Sequence, residues 1–395
     1  MMICQHFFIE PTKEQEEKLF HTLYLCRKLY NYSLDQRIKH YKEHDKGLTY
    51  RKQQNMLPKY KKEHTEYKTA QSQILQDVLR RLDRAYKNFF EGRAKYPKFK
   101  DKYHYTSITL PQCEAKRNFG KEGYVYIKNI GHIKIKAHKD FDPTKVKTIN
   151  IKYHAGKWYV NLSVEVEEEK EKSVTGEKAI GIDKGINSIA ATSDGELYLN
   201  PRWLQKTEKK LKRLQRQLSR KKKGSNNREK QKKRLAKLHE KVANQRRDYL
   251  HKISYNIVKN NDIICVEDLQ VKNMMKNHKL AKSIANVGWG MLDKYLQYKA
   301  EKEGKIFIKV NPAYTSQRCS RCGKIVEKDL SVRVHKCECG LEIDRDVNAA
   351  INILHEGLRQ LSIIAIFCRE GSSRSYAYGD YVRPVVNNSR QLSMK

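Results

Sequence analysis

The stretch CSRCGKIVEKDLSVRVHKCECGLEIDRDVNAAINI, residues 319–353, carries two kinds of chemistry in one short run. Its cysteines pair as Cys319/Cys322 and Cys337/Cys339, with fourteen residues between the pairs. Zn2+ takes four soft ligands in a tetrahedron, and two cysteine pairs on opposed turns supply them. The second pair is Cys-x-Cys, one residue tighter than usual, and His335 is close enough in sequence to replace one ligand. A dithiol redox site is the competing reading, but it needs only one pair and a thioredoxin-like context. The expected role of the metal is structural, folding a segment too short to bury a core of its own. Asp344 and Asp346 then precede the apolar run VNAAINI, which is a helix former. Asp344 fits the helix N-cap, which leaves Asp346 for chemistry.

Working outward from Asp346, two more acids end apolar runs. Asp183 closes a strand in GIDKG and Glu267 closes another in CVEDL. An Asp ahead of a Gly is commonly a turn former, and Glu267 and Asp268 face opposite sides of their strand, so only one of them can serve a site. Taken together, Asp183, Glu267 and Asp346 lie at ends of core elements that can converge. Phosphodiester hydrolysis at neutral pH uses such a set to hold two Mg2+ about 4 Å apart.

The partner is legible in the charge. The 395 residues hold 82 Lys and Arg against 45 Asp and Glu, a formal charge of +37. Such an excess repels itself unless a polyanion neutralises it, and nucleic acid is bound mainly through phosphate charge. The basic residues are spread along the chain rather than clustered beside a lipid anchor, which argues against a membrane surface. The N-terminus lacks the basic region and apolar core of a signal peptide, and the run at 361–368 is too short to span a bilayer. Five further cysteines (Cys4, Cys26, Cys113, Cys265, Cys368) are scattered without the spacing of a disulfide framework. A reducing cytoplasm is therefore expected.

Periodicity gives the architecture. Residues 2–9 alternate as a strand. Thr12 with Gln15 makes a capping box, and Leu19, Leu23, Cys26, Tyr30 and Leu34 follow at helical spacing. A second helix is predicted over about 70–90, with a polar connection containing Tyr50 between the two. From 105 to 167 the period is two, predicting antiparallel strands. With the N-terminal strand these suit one barrel carrying a helical insertion. Residues 168–177 read as a linker. Apolar strands at KAIGIDKGINSIAAT and DIICVEDL, separated by a long helical stretch, predict an α/β layer. Within that stretch, 20 of the 50 residues at 201–250 are Lys or Arg and four are acidic. Leucines at 204, 211 and 218 and an apolar seam at 235, 238, 242 and 249 predict a basic helical hairpin. The tail from 361 to 395 shows no sustained period and is expected to be weakly ordered.

The order GIDKGI, VEDL, Cys-x-x-Cys, Cys-x-Cys-Gly and DRDVNAAINI resembles the split RuvC nuclease core of TnpB proteins. These are RNA-guided nucleases encoded by insertion sequences and relatives of the type V CRISPR effectors. KLYNYSL at 28–34, LDRAYKNFF at 82–90 and YPKFK at 96–100 are similar to the helical recognition segment of that family. The resemblance implies a multidomain α+β chain. Residues 1–10 and 101–172 would form an antiparallel β-barrel (wedge), with a helical recognition domain at 11–100. An RNase H-like (RuvC) α/β nuclease domain would span 173–310 and 341–360, with the basic hairpin at 201–258 and a zinc knuckle at 311–340. It further implies Asp183, Glu267 and Asp346 as catalytic Mg2+ ligands, and Cys319, Cys322, Cys337 and Cys339 as zinc ligands. The implied activity is cutting of double-stranded DNA beside a short flanking motif. A guide RNA transcribed near the gene would direct it, and the protein would act with that RNA as a monomer, with a dimer as the alternative. Tyr50 and Gln76 are candidates for reading the motif, since their side chains stack on or hydrogen-bond to bases. The alternatives are a DNA transposase acting by strand transfer and a non-cleaving RNA-guided repressor.

Overall fold

The computed structural model describes residues 2–166, 178–278, 280–329 and 332–369, with side chains to 362. The chain divides into two compact units, residues 1–167 and 168–395. The expected linker at 168–177 lies outside the described residues, as does the tail from 370 onward.

The first unit contains β1 (Met2–Glu10), α1 (Lys13–His44), α2 (Tyr50–Glu63), α3 (Ser72–Phe90), β2 (Ser107–Leu110), α4 (Ala115–Asn118), β3 (Tyr124–Ile127), β4 (Gly131–Lys136), β5 (Val146–His154) and β6 (Lys157–Glu165). Its six strands form one antiparallel sheet in the order β2-β5-β6-β1-β4-β3. The N-terminal strand sits inside the sheet between β6 and β4. The barrel expected from the sequence is an open sheet: its edge strands β2 and β3, four residues each, do not pair with one another. Alternation sends Phe7 and Ile9 of β1 and Val160 and Leu162 of β6 into a core shared with Leu19, Leu29, Leu75 and Leu82 of the helices. The capping box at Thr12 and Gln15 starts α1.

The connection expected around Tyr50 is instead the helix α2. The Thr49 side chain caps it, and Gln53 and Leu57, one turn apart, are its buried residues. Two buried positions are too few to give a periodic signal, and Pro58 inside the helix conceals it further.

The second unit contains β7 (Ala179–Asp183), β8 (Ser188–Thr192), β9 (Leu197–Leu199), α5 (Trp203–Ser219), α6 (Asn226–Asn260), β10 (Ile263–Glu267), α7 (Val271–Met274), α8 (Ala281–Val287), α9 (Trp289–Lys302), β11 (Ile306–Val310), β12 (Val334–Lys336), β13 (Glu342–Asp344) and α10 (Arg345–Arg369). A five-stranded sheet runs β11-β10-β7-β8-β9. β11, β10 and β7 are parallel, and β7, β8 and β9 are antiparallel. α5 and α6 form the predicted basic hairpin. Arg228 at the start of α6 donates to the carbonyls of Leu218 and Lys221 and locks the bend. α10 continues to Arg369, past the point where the tail was expected to begin.

This sheet is covered on both faces, and its alternation decides where the acids point. Ile180, Ile182, Ile264 and Val266 face α6, α8 and α9. Ile263, Cys265, Ile308 and Val310 face Ile353, Leu354 and Leu358 of α10. Strand geometry then places Asp183 and Glu267 on the α10 side. Gly181 and Gly357 let α10 seat closely. A Cβ on Gly181 would fall inside the Ala350 carbonyl and 2.7 Å from the Leu354 nitrogen, and one on Gly357 would collide with Cys265 Sγ. Gly290 on α9 has nothing within 4 Å of such a Cβ.

Gly181→Ala must push α10 off β7, a cost of about 1–3 kcal/mol or more. Gly290→Ala should stabilise by about 1 kcal/mol through helix propensity. Thermal unfolding of the two variants checks this; equal melting temperatures would contradict the close seat.

Candidate active site and metal knuckle

Asp183 ends β7, Glu267 ends β10 and Asp346 lies in the first turn of α10. The structure brings the three together. Asp183 shares a hydrogen bond with Glu267 and feels the charge of both Glu267 and Asp346. The turn at Gly185 faces the third acid: a Cβ there would lie 3.8 Å from Asp346 Oδ2. Asp344 is the helix cap, its Oδ1 accepting from the Asp346 and Val347 nitrogens at 2.8 and 3.2 Å. Asp268 faces away and pairs with Lys309 at 3.2 Å.

Burial raises all three carboxyls above the ordinary carboxylate range. Loss of hydration, then the Glu267 and Asp346 charges, push Asp183 well above the ordinary carboxylate range. Burial also raises Glu267, opposed by the Thr315 hydroxyl and the Lys184 ammonium. Burial and then Asp344 raise Asp346, opposed by Arg345 and Arg333. Among the described residues the four cysteines are the set of three or more metal-ligating side chains whose ligand atoms all lie within 4.8 Å of one another.

Side chains that the sequence did not single out hold these acids. Glu267 is 6 % exposed, and its Oε1 accepts from Thr315 Oγ1 at 2.6 Å. Lys184 is buried between β7, β10 and α9. Trp289 donates from its indole to the Gly185 carbonyl at 3.1 Å. Asn348 and Asn352, buried on α10, tie the segment leading into the first cysteine pair to the helix. Asn348 donates to the Arg318 carbonyl and accepts from the Ser320 nitrogen, and Asn352 donates to the carbonyls of Thr315 and Arg318. Two Asn a turn apart within VNAAINI were the available signal, because an amide inside an apolar helix face must find partners.

The sulfurs of Cys319, Cys322, Cys337 and Cys339 all lie within 4.8 Å of one another. Cys319 and Cys339 are 3.6 Å apart, as are Cys322 and Cys337. A zinc–sulfur bond of ~2.3 Å gives tetrahedral edges of about 3.8 Å, so the set has the dimensions of a zinc site. The tight Cys-x-Cys pair therefore reaches the same centre. His335 is fully buried and bonds to Cys319, but it stands outside the four-sulfur set. Burial alone would raise the Cys319 thiol, yet the Cys322 and Arg321 nitrogens, with His335, hold it down to about 5, while Cys322, despite the Lys324 nitrogen, is pushed up to about 11 by the neighbouring sulfurs. The thiolate is the form that binds metal. β12 and β13 make a two-stranded ladder beside the second pair.

Tyr50 and Gln76 both lie in the first unit. The Tyr50 hydroxyl accepts from Arg80 Nε at 3.1 Å. Gln76 is half-buried on α3, one turn before Arg80.

Raised carboxyl pKa values mean that the folded state binds protons more tightly than the unfolded chain. That contribution to stability is complete below the ordinary carboxylate value near 4 and is lost as pH rises through the raised folded values. Without divalent ions, Asp183→Asn should melt at least about 3 °C higher than the parent protein at pH 8 and show a flatter pH dependence. Added Mg2+ should raise the melting temperature of the parent protein and not of the variant. Identical melting curves with and without Mg2+ for both proteins would contradict the cation-site electrostatics.

Three family models match the chain. One described as "Probable transposase" (OrfB_IS605) covers residues 161–278, one described as "Cas12f1-like, TNB domain" covers 289–353, and a helix-turn-helix domain of the OrfB_IS605 type covers 6–46. A protein of Escherichia coli (strain K12), named RNA-guided DNA endonuclease InsQ, is 34 % identical over 370 residues, 89 % of this chain and 91 % of its own. A Streptomyces pristinaespiralis protein, also named as an RNA-guided DNA endonuclease, is 32 % identical over 96 % of this chain and 92 % of its own. The CRISPR-associated endodeoxyribonuclease Cas12f1 of Sulfoacidibacillus thermotolerans is 29 % identical over half of each chain. With full-length kinship of this degree, the chain belongs to the TnpB family, the OrfB proteins of IS605-type insertion sequences.

Proposed function

We propose that this chain is the RNA-guided DNA endonuclease of a transposable element, cutting double-stranded DNA beside a short flanking motif. The observation that carries the reading is the convergence of Asp183, Glu267 and Asp346 on one face of the β7–β10 sheet. Kinship with proteins named as RNA-guided DNA endonucleases supports the guide, and the +37 charge supports two nucleic-acid partners.

In this reading the second unit is an RNase H-like (RuvC) nuclease domain, formed by 173–310 and 341–360 around a zinc knuckle at 311–340. The first unit is a wedge (1–10 and 101–172) carrying a recognition domain (11–100), with Tyr50 and Gln76 among its motif readers. The three acids would hold Mg2+, two ions as phosphodiester hydrolysis commonly uses. When bound, these ions supply an activated water and stabilise the leaving oxygen. The chain's own part is to gather like charges at fixed positions. Thr315 fixes one oxygen of Glu267, Asp344 caps the helix that presents Asp346, and the α10 seat brings that helix to β7. Sequence would be read by base pairing, the protein contributing motif and shape recognition. The work would take place in the cytoplasm, as a monomer with its RNA. No helix of the described residues is long and apolar enough to cross a membrane.

The test is cleavage of a plasmid library with randomised flanks by protein co-expressed with RNA from the 3′ end of its gene. RNA-dependent cutting beside a short motif is expected. Strand joining of transposon ends without RNA would favour a transposase, and binding without cutting would favour a repressor. Asp183→Ala, Glu267→Ala and Asp346→Ala should each abolish cutting and leave RNA binding intact; full activity in any one removes that residue from the mechanism. Cys319→Ser should lose the bound zinc, and a full zinc equivalent in that variant would refute the knuckle.

A further inference from the structure

We propose that Lys184 is a positioning residue of this centre: anchored by Asp293, its ammonium clamps the main chain at Glu267 and so sets the spacing of the Asp183 and Glu267 carboxylates, a role that presupposes the nuclease reading above. Lys184 directly follows Asp183, where β7 ends. Its side chain is 0 % exposed, a rare state for lysine unless its charge is paired. Nζ donates to the Glu267 carbonyl at 2.7 Å and to both Asp293 oxygens at 2.9 and 3.0 Å. An ammonium has three donors, and all are used here.

The position of the bond to the Glu267 carbonyl gives the clamp its function. β7 and β10 pair in parallel from Ala179↔Ile263 to Ile182↔Val266, and the ladder stops there. Asp183 and Glu267 lie one step beyond that last pair. The bond from Lys184 to the Glu267 carbonyl continues the tie between the two strands into the residues that carry the acids. Asp293 keeps the ammonium in place from α9. It also stands 3.9 Å from Lys309 of β11, which pairs with Asp268, the neighbour of Glu267. The chain of ion pairs Lys184–Asp293–Lys309–Asp268 therefore links the end of β7, α9, β11 and the residue after β10. Stability alone does not require it, because apolar residues of similar volume commonly replace a buried ion pair without loss. An apolar pair cannot hold a backbone carbonyl, and that difference separates positioning from packing.

The test replaces both charges, as Lys184→Met with Asp293→Leu, and titrates Mn2+ into the RNA-bound protein by electron paramagnetic resonance. Asp183→Ala defines the Mn2+ signal that belongs to the site. The neutral pair should keep the parent circular-dichroism spectrum and RNA affinity. Its Mn2+ affinity should fall by about tenfold, the scale on which partners behind metal ligands act. A folded neutral pair with Mn2+ affinity within about twofold of the parent would assign Lys184 to packing and overturn the clamp. If that pair does not fold, Lys184→Met with Asp293→Asn, which likewise offers the Glu267 carbonyl no donor at position 184, is judged by the same criterion, and failure of both to fold also overturns it. Mn2+ binding that ignores Asp183→Ala would be a different failure, that of the nuclease reading itself.

Discussion

The close seat of α10 on β7 is the contact from which the site follows. A helix packed on a sheet normally keeps side chains between the two backbones. Here Gly181 removes one layer, so that the Ala350 carbonyl lies where a Cβ would be. The start of the helix is drawn to the end of the strand, and Asp346 arrives beside Asp183. Glu267 joins them because β10 runs parallel to β7 and ends at the same level. The outcome is electrostatically costly. Three carboxyls share one space, and Asp183 holds its proton well above the ordinary range. A fold bears that cost where something cationic is to be bound, which is why perturbed acids mark functional sites.

Much of this centre was legible in the sequence because its parts are local. Two cysteine pairs, a strand ending in Asp and a helix opening with Asp each carry their signal within ten residues or so. The capping role of Asp344 and the opposed faces of Glu267 and Asp268 follow from helix and strand geometry alone, and the structure places them accordingly. What escaped is whatever depends on partners distant in sequence. Lys184 looks like a surface lysine until Asp293 is placed beside it, and Thr315 looks like a loop residue until its hydroxyl meets Glu267. In the first unit α2 escaped because it buries only Gln53 and Leu57, and the sheet stayed open because its edge strands are short.

The four cysteines and the acids are one mechanical assembly within the second unit. Asn348 and Asn352 lie two and six residues beyond Asp346 on α10, and they hold the carbonyls of Thr315 and Arg318. The segment so held contributes Thr315 to Glu267 at one end and Cys319 to the sulfur cluster at the other. A sulfur cluster placed this way is tied, through the same segment, to the hydroxyl that fixes Glu267. The residues 319–353 that first suggested two metals thus carry the cluster, the third acid and the amides that tie them together.

The central claim is that Asp183, Glu267 and Asp346 share one cation-binding space. Replacing Mg2+ with Fe2+ in the RNA-bound protein and adding ascorbate and peroxide generates hydroxyl radicals at the ion, which cut the nearby polypeptide. Mass spectrometry should find scission near residues 183, 267 and 346 together, suppressed by excess Mg2+. Cuts confined to other segments, or cuts at only one of the three that Mg2+ does not suppress, would contradict it.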